Sequence, residues 1–169
     1  MQGDLGGTDP RLVAALTTLQ ELQAEGKIIH LMHGNSQASN GNGNGQAKQS
    51  HWQPAAVEVQ YSVFLRSLDP IDVQMKEAGT VVIGIVQMDG FPESMPPLKS
   101  SHVLSIAKRL SKSPAQVLAR WSAQSNVVSI PCTFSRQHLE ENSPKVIGSF
   151  SLTATDMELL DSIATMGVP

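Results

Sequence analysis

Apolar residues recur along this chain at two spacings, one typical of helices and the other typical of buried strands. One face of the first predicted helix carries Leu12, Leu16, Leu19 and Leu22. Asp9 and Pro10 form a favourable start for this helix, and Gly26 is a typical stop. The short apolar run that follows, residues 27–32, predicts a strand.

Three later apolar runs also predict strands, at residues 55–61, 80–86 and 126–130. The run at 80–86 is almost wholly apolar, which is typical of a strand buried on both faces of a parallel sheet. Helix patterns lie between and after the strands, near residues 69–79, 103–110, 114–121 and 136–142 and from Thr153 onwards. This alternation predicts a parallel α/β fold, a partial (β/α)8 barrel with roughly the last four βα units.

Residues 34–53 interrupt the pattern with a run that is rich in Gly and Asn and poor in apolar side chains. Such a composition cannot offset the entropy cost of ordering by burying apolar surface. The run therefore predicts a flexible loop, in place of the helix expected after the first strand. A single domain over residues 1–169 accounts for the remaining pattern.

Composition excludes several classes of partner. The chain has 12 Lys and Arg against 15 Asp and Glu, a net charge of -3 that favours neither nucleic acid nor an anionic membrane. Its single cysteine, Cys132, cannot form an internal disulfide, and no apolar run approaches the roughly 18 residues of a membrane span. The N-terminus has no secretory signal pattern, so a cytoplasmic protein is expected.

Three segments, in order, resemble the C-terminal half of aldo-keto reductases, which are NAD(P)-dependent carbonyl reductases built on the (β/α)8 barrel. LQELQAEGKIIHL resembles the helix and strand before the family's nicotinamide-contacting Ser-Asn pair, and IAKRLSKSPAQVLARWSAQ resembles its paired helices after the seventh strand. SIPCTFSRQHLEEN with FSLTATDMELLDSIA resembles its cofactor loop and final helix. The resemblance implies an N-terminally truncated domain of that family.

Six residues are predicted to contact NADP(H): Asn35, Thr133, Ser135, Arg136, Glu141 and Asn142. A strand end that opens into Thr133 and Ser135 offers amides and hydroxyls to a phosphate. Arg136 adds a positive charge that can reach a 2'-phosphate, which favours NADP(H) over NAD(H). By resemblance, Glu141 and Asn142 contact the adenine, and Asn35 binds the nicotinamide carboxamide. Glu141 and Asn142 also fit a plainer role, in which they only end a helix.

The resemblance assigns no catalytic residue to this chain. The family's catalytic Tyr, Lys, Asp and His belong to its N-terminal half, and nothing here matches them. At the nicotinamide end, Gly34 replaces a Ser, Glu58 a Gln and Ile85 the stacking Tyr. A carboxylate cannot donate hydrogen bonds, so Glu58 cannot take over both functions of an amide. Cys132 and His138 occupy positions that are Lys and Arg in many members.

Other chemically capable residues favour structural roles. Tyr61, the only tyrosine, lies in an alternating strand pattern that is more typical of packing than of a catalytic acid. His30 and His33 would face opposite sides of a strand and have no third ligand at metal spacing, so no metal site is predicted. Cys132 is predicted to be a small buried residue.

Two functions fit these residues. The first is NADPH-dependent reduction of an aldehyde or ketone, with a small carbonyl compound as substrate. The second is a non-catalytic nucleotide-binding or assembly module, whose open half-barrel edges pair with a second copy or with a separate N-terminal half. A third interpretation, a decayed gene product without function, is compatible with the Gly-Asn run.

Overall fold

The computed structural model describes residues 10–36, 54–64, 79–85, 88 and 97–163. The strands are β1 Met32–Ser36, β2 Ala56–Gln60, β3 Val81–Ile85 and β4 Val127–Ser129. The helices are α1 Pro10–Ala24, α2 Ser101–Leu110, α3 Pro114–Gln124, α4 Arg136–Glu141, α5 Pro144–Ile147 and α6 Ala154–Ser162, with a 3-10 turn at Pro97–Lys99. All neighbouring strands pair in parallel, in the order β1-β2-β3-β4. Parallel strands in chain order are the arrangement of consecutive βα units.

Helices cover one face of this sheet. Val57, Val82 and Val127 lie in one row across β2, β3 and β4, and each is at most 3% exposed. Val103 of α2 and Leu118 of α3 belong to the same buried cluster, and both are at most 1% exposed. The apolar faces of α2 and α3 therefore form the core against this side of the sheet.

The opposite side of the sheet, here called the open face, carries Met32, Val81, Ile83, Ile85 and Val128. Val81 and Val128 are each 47% exposed, and Met32 is 52% exposed. The prediction that the third strand is buried on both faces is therefore wrong. The described helices bury only the Val82 side, and the open face is the side that lines the interior of a closed barrel.

The first strand starts later than predicted. Residues 27–31 connect α1 to β1, and β1 begins at the last residue of the predicted strand. His33 lies opposite Val57 and Ser36 lies opposite Val59, so β1 uses one more residue than β2 over this stretch. This irregularity is a β-bulge at Gly34 and Asn35, since a glycine inside a strand commonly marks one.

The predicted flexible loop overlaps β1 at residues 34–36, which are strand rather than loop. The rest of that segment, residues 37–53, lies outside the described residues, as do residues 65–78 with nearly all of the predicted helix at 69–79. The remaining strand predictions, 55–61, 80–86 and 126–130, are confirmed within one residue at each end. The predicted helix near 136–142 is confirmed except that Asn142 is its C-cap.

Local capping explains where two helices begin. Ser113 and Gln116 form a capping box at the start of α3, and Thr153 and Asp156 form another at the start of α6. Gly26 ends α1 with a φ of 72°, a conformation that glycine adopts at little cost. The predicted boundaries at these residues are confirmed.

Candidate cofactor site

Three of the predicted cofactor residues, Asn35, Thr133 and Ser135, lie at or shortly after the carboxyl ends of strands, where parallel α/β folds bind ligands, and the other three belong to α4 or its C-cap. Asn35 is near the end of β1, and the other five follow β4. Ser36 and Ser129 occupy one row of the sheet, linked through Val59 and Gly84. Three strand spacings separate β1 from β4, about 14 Å, so Asn35 is not next to the residues after β4.

A hydrogen-bonded turn connects β4 to α4. The Thr133 hydroxyl accepts from the backbone N–H of Ser135 at 3.1 Å, and the Ser135 hydroxyl caps α4 by accepting from the N–H of His138 at 3.4 Å. The His138 ring Nδ1 lies 3.3 Å from the Thr133 hydroxyl. Both predicted phosphate-binding hydroxyls are thus engaged in the turn, but a hydroxyl that accepts can still donate one hydrogen bond.

Arg136 is the first residue of α4 and its side chain is 93% exposed. Its Nε lies 3.2 Å from Oε1 of Glu140, one turn later on the same helix. This bond uses only one of the five N–H donors of a guanidinium. The remaining donors make Arg136 the most accessible positive group of the predicted site.

The end of α4 is held by the neighbouring helix. The Gln116 side chain of α3 donates to the backbone carbonyl of Glu141 at 3.3 Å, and the Gln137 side chain donates to the Glu141 carboxylate at 2.7 Å. Asn142 caps α4 through its backbone N–H, which donates to the His138 carbonyl at 2.9 Å. Within the described residues, no hydrogen bond engages the side-chain amide of Asn142, which is half-buried.

The plainer interpretation of this pair of residues describes their backbone correctly, and contact of their side chains with the adenine stays a prediction. Glu141 and Asn142 do end a helix, and the Asn142 side chain is nevertheless not used to end it. From the sequence, His138 is recognised only as the replacement of a basic residue, and no contact with the predicted site is assigned to Gln116. His138 lies three residues after the capping Ser135, and this local spacing can be recognised in a sequence. Gln116 and Glu141 are 25 positions apart, so no local pattern predicts their hydrogen bond.

The replaced nicotinamide positions Glu58 and Ile85 lie in β2 and β3. Glu58 stands in β2 opposite Ile83, and Ile85 ends β3. Both alternate with the buried valines of their strands, which places them on the open face. The structure thus puts two of the replaced nicotinamide positions on the face that would line a barrel.

Tyr61 is a core residue, as predicted. It is 3% exposed, and its ring stacks on that of Trp121 with centroids 4.7 Å apart and an interplanar angle of 11°. Trp121 in turn donates from its indole nitrogen to Asp161 at 2.8 Å. The motif residue Gln124 makes two hydrogen bonds with the backbone of Leu152, which positions the loop before α6.

Cys132 differs from its prediction. It is exposed rather than buried, because it lies in the turn after β4 and not in the strand itself.

Within the described ranges, no three His, Cys, Asp or Glu side chains come together as metal ligands. None of the described helices has both the length and the apolar character needed to cross a bilayer.

Comparison with known proteins finds relatives that match parts of this chain. The NAD(P)H-dependent D-xylose reductase I,II of Candida tropicalis is 30% identical over 128 residues, which cover 69% of this chain and 37% of that relative. Other matching relatives are named as aldo-keto reductases. No family model matches the chain.

Solved structures agree with this relationship. MGS-M4, an aldo-keto reductase enzyme from a deep-sea metagenome library of the Medee basin, superposes with a TM-score of 0.73 at 17% identity, over 94% of this chain and 56% of that one. Over most of its length, this chain is similar to part of an aldo-keto reductase domain. A variant of Gox0644 in complex with NADPH superposes with a TM-score of 0.71 at 18% identity, over 87% of this chain and 51% of that one.

The aldo-keto reductase neighbours confirm the predicted fold, a partial (β/α)8 barrel. This chain spans 37% of the length of the xylose reductase that it matches, and 51–56% of the two solved chains. The described sheet has four strands where a complete barrel has eight.

Proposed function

We propose that this chain binds NADP(H) through residues 133–142 and serves as the cofactor-binding part of an oxidoreductase that reduces an aldehyde or a ketone. The observation that carries the proposal is the position of Arg136. The Arg136 side chain is 93% exposed and follows the turn that contains Thr133 and Ser135. The Asn142 amide lies at the other end of α4. Related proteins support it, since one relative is named an NAD(P)H-dependent reductase and one solved neighbour holds NADPH.

Titration of the purified chain with NADPH and with NADH tests this proposal. We expect Arg136→Ala to weaken NADPH binding roughly 10-fold or more, because a charged hydrogen bond to phosphate is worth about 1.5–3 kcal/mol. Binding of NADH should change by less than about twofold, since NADH has no 2'-phosphate. The measurement is the Kd from cofactor fluorescence or calorimetry.

Lys108→Ala is the matched control for this experiment. Lys108 is an exposed cation in the last turn of α2, outside the proposed site, and its loss removes the same charge. If Arg136→Ala and Lys108→Ala weaken NADPH binding equally, only net charge matters and the proposed site is wrong. Absence of saturable NADPH binding to the wild-type chain would contradict the proposal directly.

Reduction of a carbonyl needs a catalytic acid, and no residue of this chain matches the family's set. We therefore expect hydride transfer to an aldehyde panel only when a polypeptide with that catalytic set completes the barrel.

The proposal also includes a single domain over residues 1–169 and a cytoplasmic location, which suits a chain whose single cysteine forms no internal disulfide.

The open face favours a second proposed function, that of an assembly module. Met32, Val81 and Val128 expose apolar surface there, and β1 and β4 are edge strands of the described sheet. Parallel edges and an uncovered apolar face favour pairing with another half-barrel. Two copies supply eight parallel strands, the number that closes a (β/α)8 barrel. Sedimentation of the purified chain tests this proposal, and a strictly monomeric folded chain would contradict it.

A further inference from the structure

We infer that Glu140 determines how strongly this site discriminates NADP(H) from NAD(H), an inference that rests on the cofactor site proposed above. Glu140 was not among the predicted cofactor residues. It is the carboxylate nearest to the cation proposed for the 2'-phosphate, with 3.2 Å between its Oε1 and Nε of Arg136.

The geometry of the pair leaves Arg136 able to bind a second anion. Glu140 contacts Nε, and within the described residues no other hydrogen bond engages the guanidinium. The Arg136 and Glu140 side chains are 93% and 70% exposed, so a ligand can reach both. A phosphate that bonds the terminal nitrogens of Arg136 would therefore lie close to the Glu140 carboxylate.

Helix stability does not explain this pair. Exposed ion pairs contribute little, and the order with the cation first is the weaker one at this spacing. The pair also opposes the helix dipole, because the positive residue begins α4 and the negative residue lies in its last turn. A role in ligand discrimination accounts for the arrangement where stability does not.

The electrostatic consequence differs between the two cofactors. A 2'-phosphate carries up to two negative charges, so the carboxylate of Glu140 repels it and neutralises part of the attraction from Arg136. NADH carries a hydroxyl at that position and does not experience this repulsion. Glu140 therefore reduces the preference for NADPH and lets the site accept both cofactors.

Glu140→Gln tests this role because it removes the charge and keeps an oxygen that can accept from Nε of Arg136. We expect Glu140→Gln to tighten NADPH binding about 3- to 10-fold at low ionic strength and to leave the Kd for NADH within about twofold. Raising the salt concentration to about 0.5 M should remove most of the gain, because salt screens exposed charges. Glu158→Gln is the matched control, since Glu158 is an exposed carboxylate on α6.

The outcomes separate this inference from the proposed function. If Arg136→Ala weakens NADPH binding but Glu140→Gln leaves the NADPH-to-NADH ratio unchanged, the site stands and the role of Glu140 is wrong. An equal gain in Glu158→Gln also overturns that role, since it would reflect net charge alone. If Arg136→Ala leaves NADPH binding unchanged, the proposed site fails and the inference about Glu140 fails with it.

Discussion

At the scale of single residues, Tyr61 and Trp121 form the aromatic centre of the core. Their rings stack within 4.7 Å, and Trp121 is fully buried. Offset stacking of two buried aromatic rings adds to the free energy gained by burying their surface. The tyrosine side chain therefore contributes to the core through its ring, and we expect its hydroxyl to take no part in the proposed cofactor binding.

Substitutions at Tyr61 separate the ring from the hydroxyl. We expect Tyr61→Ala to lower the free energy of unfolding by about 3–5 kcal/mol, because it removes a buried aromatic ring and leaves a cavity. Tyr61→Phe should cost about 1 kcal/mol or less and leave NADPH binding unchanged. Urea unfolding followed by far-UV circular dichroism measures both. Loss of NADPH binding in a folded Tyr61→Phe variant would show that the hydroxyl acts at the site.

At the scale of elements, the start of α6 combines a capping box with an ion pair from α2. The Asp156 side chain accepts from the N–H and the hydroxyl of Thr153, and Arg109 approaches it to 2.5 Å. Burial alone would raise the pKa of Asp156, but the hydrogen bonds from Arg109 and Thr153 outweigh it and lower the pKa below its usual value.

This lowered pKa gives the sign of a pH dependence. The carboxylate stabilises the fold at pH values above the unfolded-state pKa of about 3.9, and this contribution is lost as the pH falls through the lower folded-state pKa. We expect Asp156→Ala to lower the free energy of unfolding by about 1–3 kcal/mol at pH 7. The difference from wild type should shrink below about pH 4.

Denaturant unfolding at several pH values measures this effect. Glu158→Ala, an exposed change on the same helix, serves as the control and should cost less than about 0.5 kcal/mol at every pH. A cost for Asp156→Ala that stays constant down to pH 2 would mean that the charge of the carboxylate contributes nothing.

The elements also show which features a sequence can predict. The hydroxyls of Ser113 and Thr153 accept hydrogen bonds from backbone N–H groups three residues later, so the local sequence predicts the starts of α3 and α6. The bonds from Gln116 to Glu141 and from Arg109 to Asp156 span 25 and 47 positions. Local spacing carries no information about such contacts, which depend on how the helices pack.

At the scale of the whole molecule, the open face is where sequence reasoning failed. The apolar run in β3 predicts burial on both faces of the sheet. A sequence pattern shows which side chains favour burial, but it does not show whether another layer of the protein covers each face. Val82 is 1% exposed under the helices, whereas Val81 is 47% exposed on the opposite face. The order of residues 133–142 predicts a cofactor site, and that site stays a prediction. The hydrogen bonds that both hydroxyls accept depend on the geometry of the turn, which the sequence does not show.

A charge on the open face tests the proposed assembly. We expect the wild-type chain to sediment as a dimer and Val128→Lys to sediment as a monomer, because a lysine cannot be buried between two half-barrels without a partner. Leu104→Lys is the matched control: Leu104 is 46% exposed on α2, close to the 47% of Val128, but lies on the helical layer. Equal dissociation by both variants would place the contact elsewhere.

The exposed thiol of Cys132 makes the proposed cofactor site accessible to spectroscopy. It is the only cysteine in the chain and it lies one residue before Thr133. A maleimide fluorophore would therefore attach at a single position, without any mutation, beside the turn that the phosphate is proposed to reach. Arrival of NADPH could then be followed as a change in the brightness of the label, independently of turnover and of the fluorescence of the cofactor.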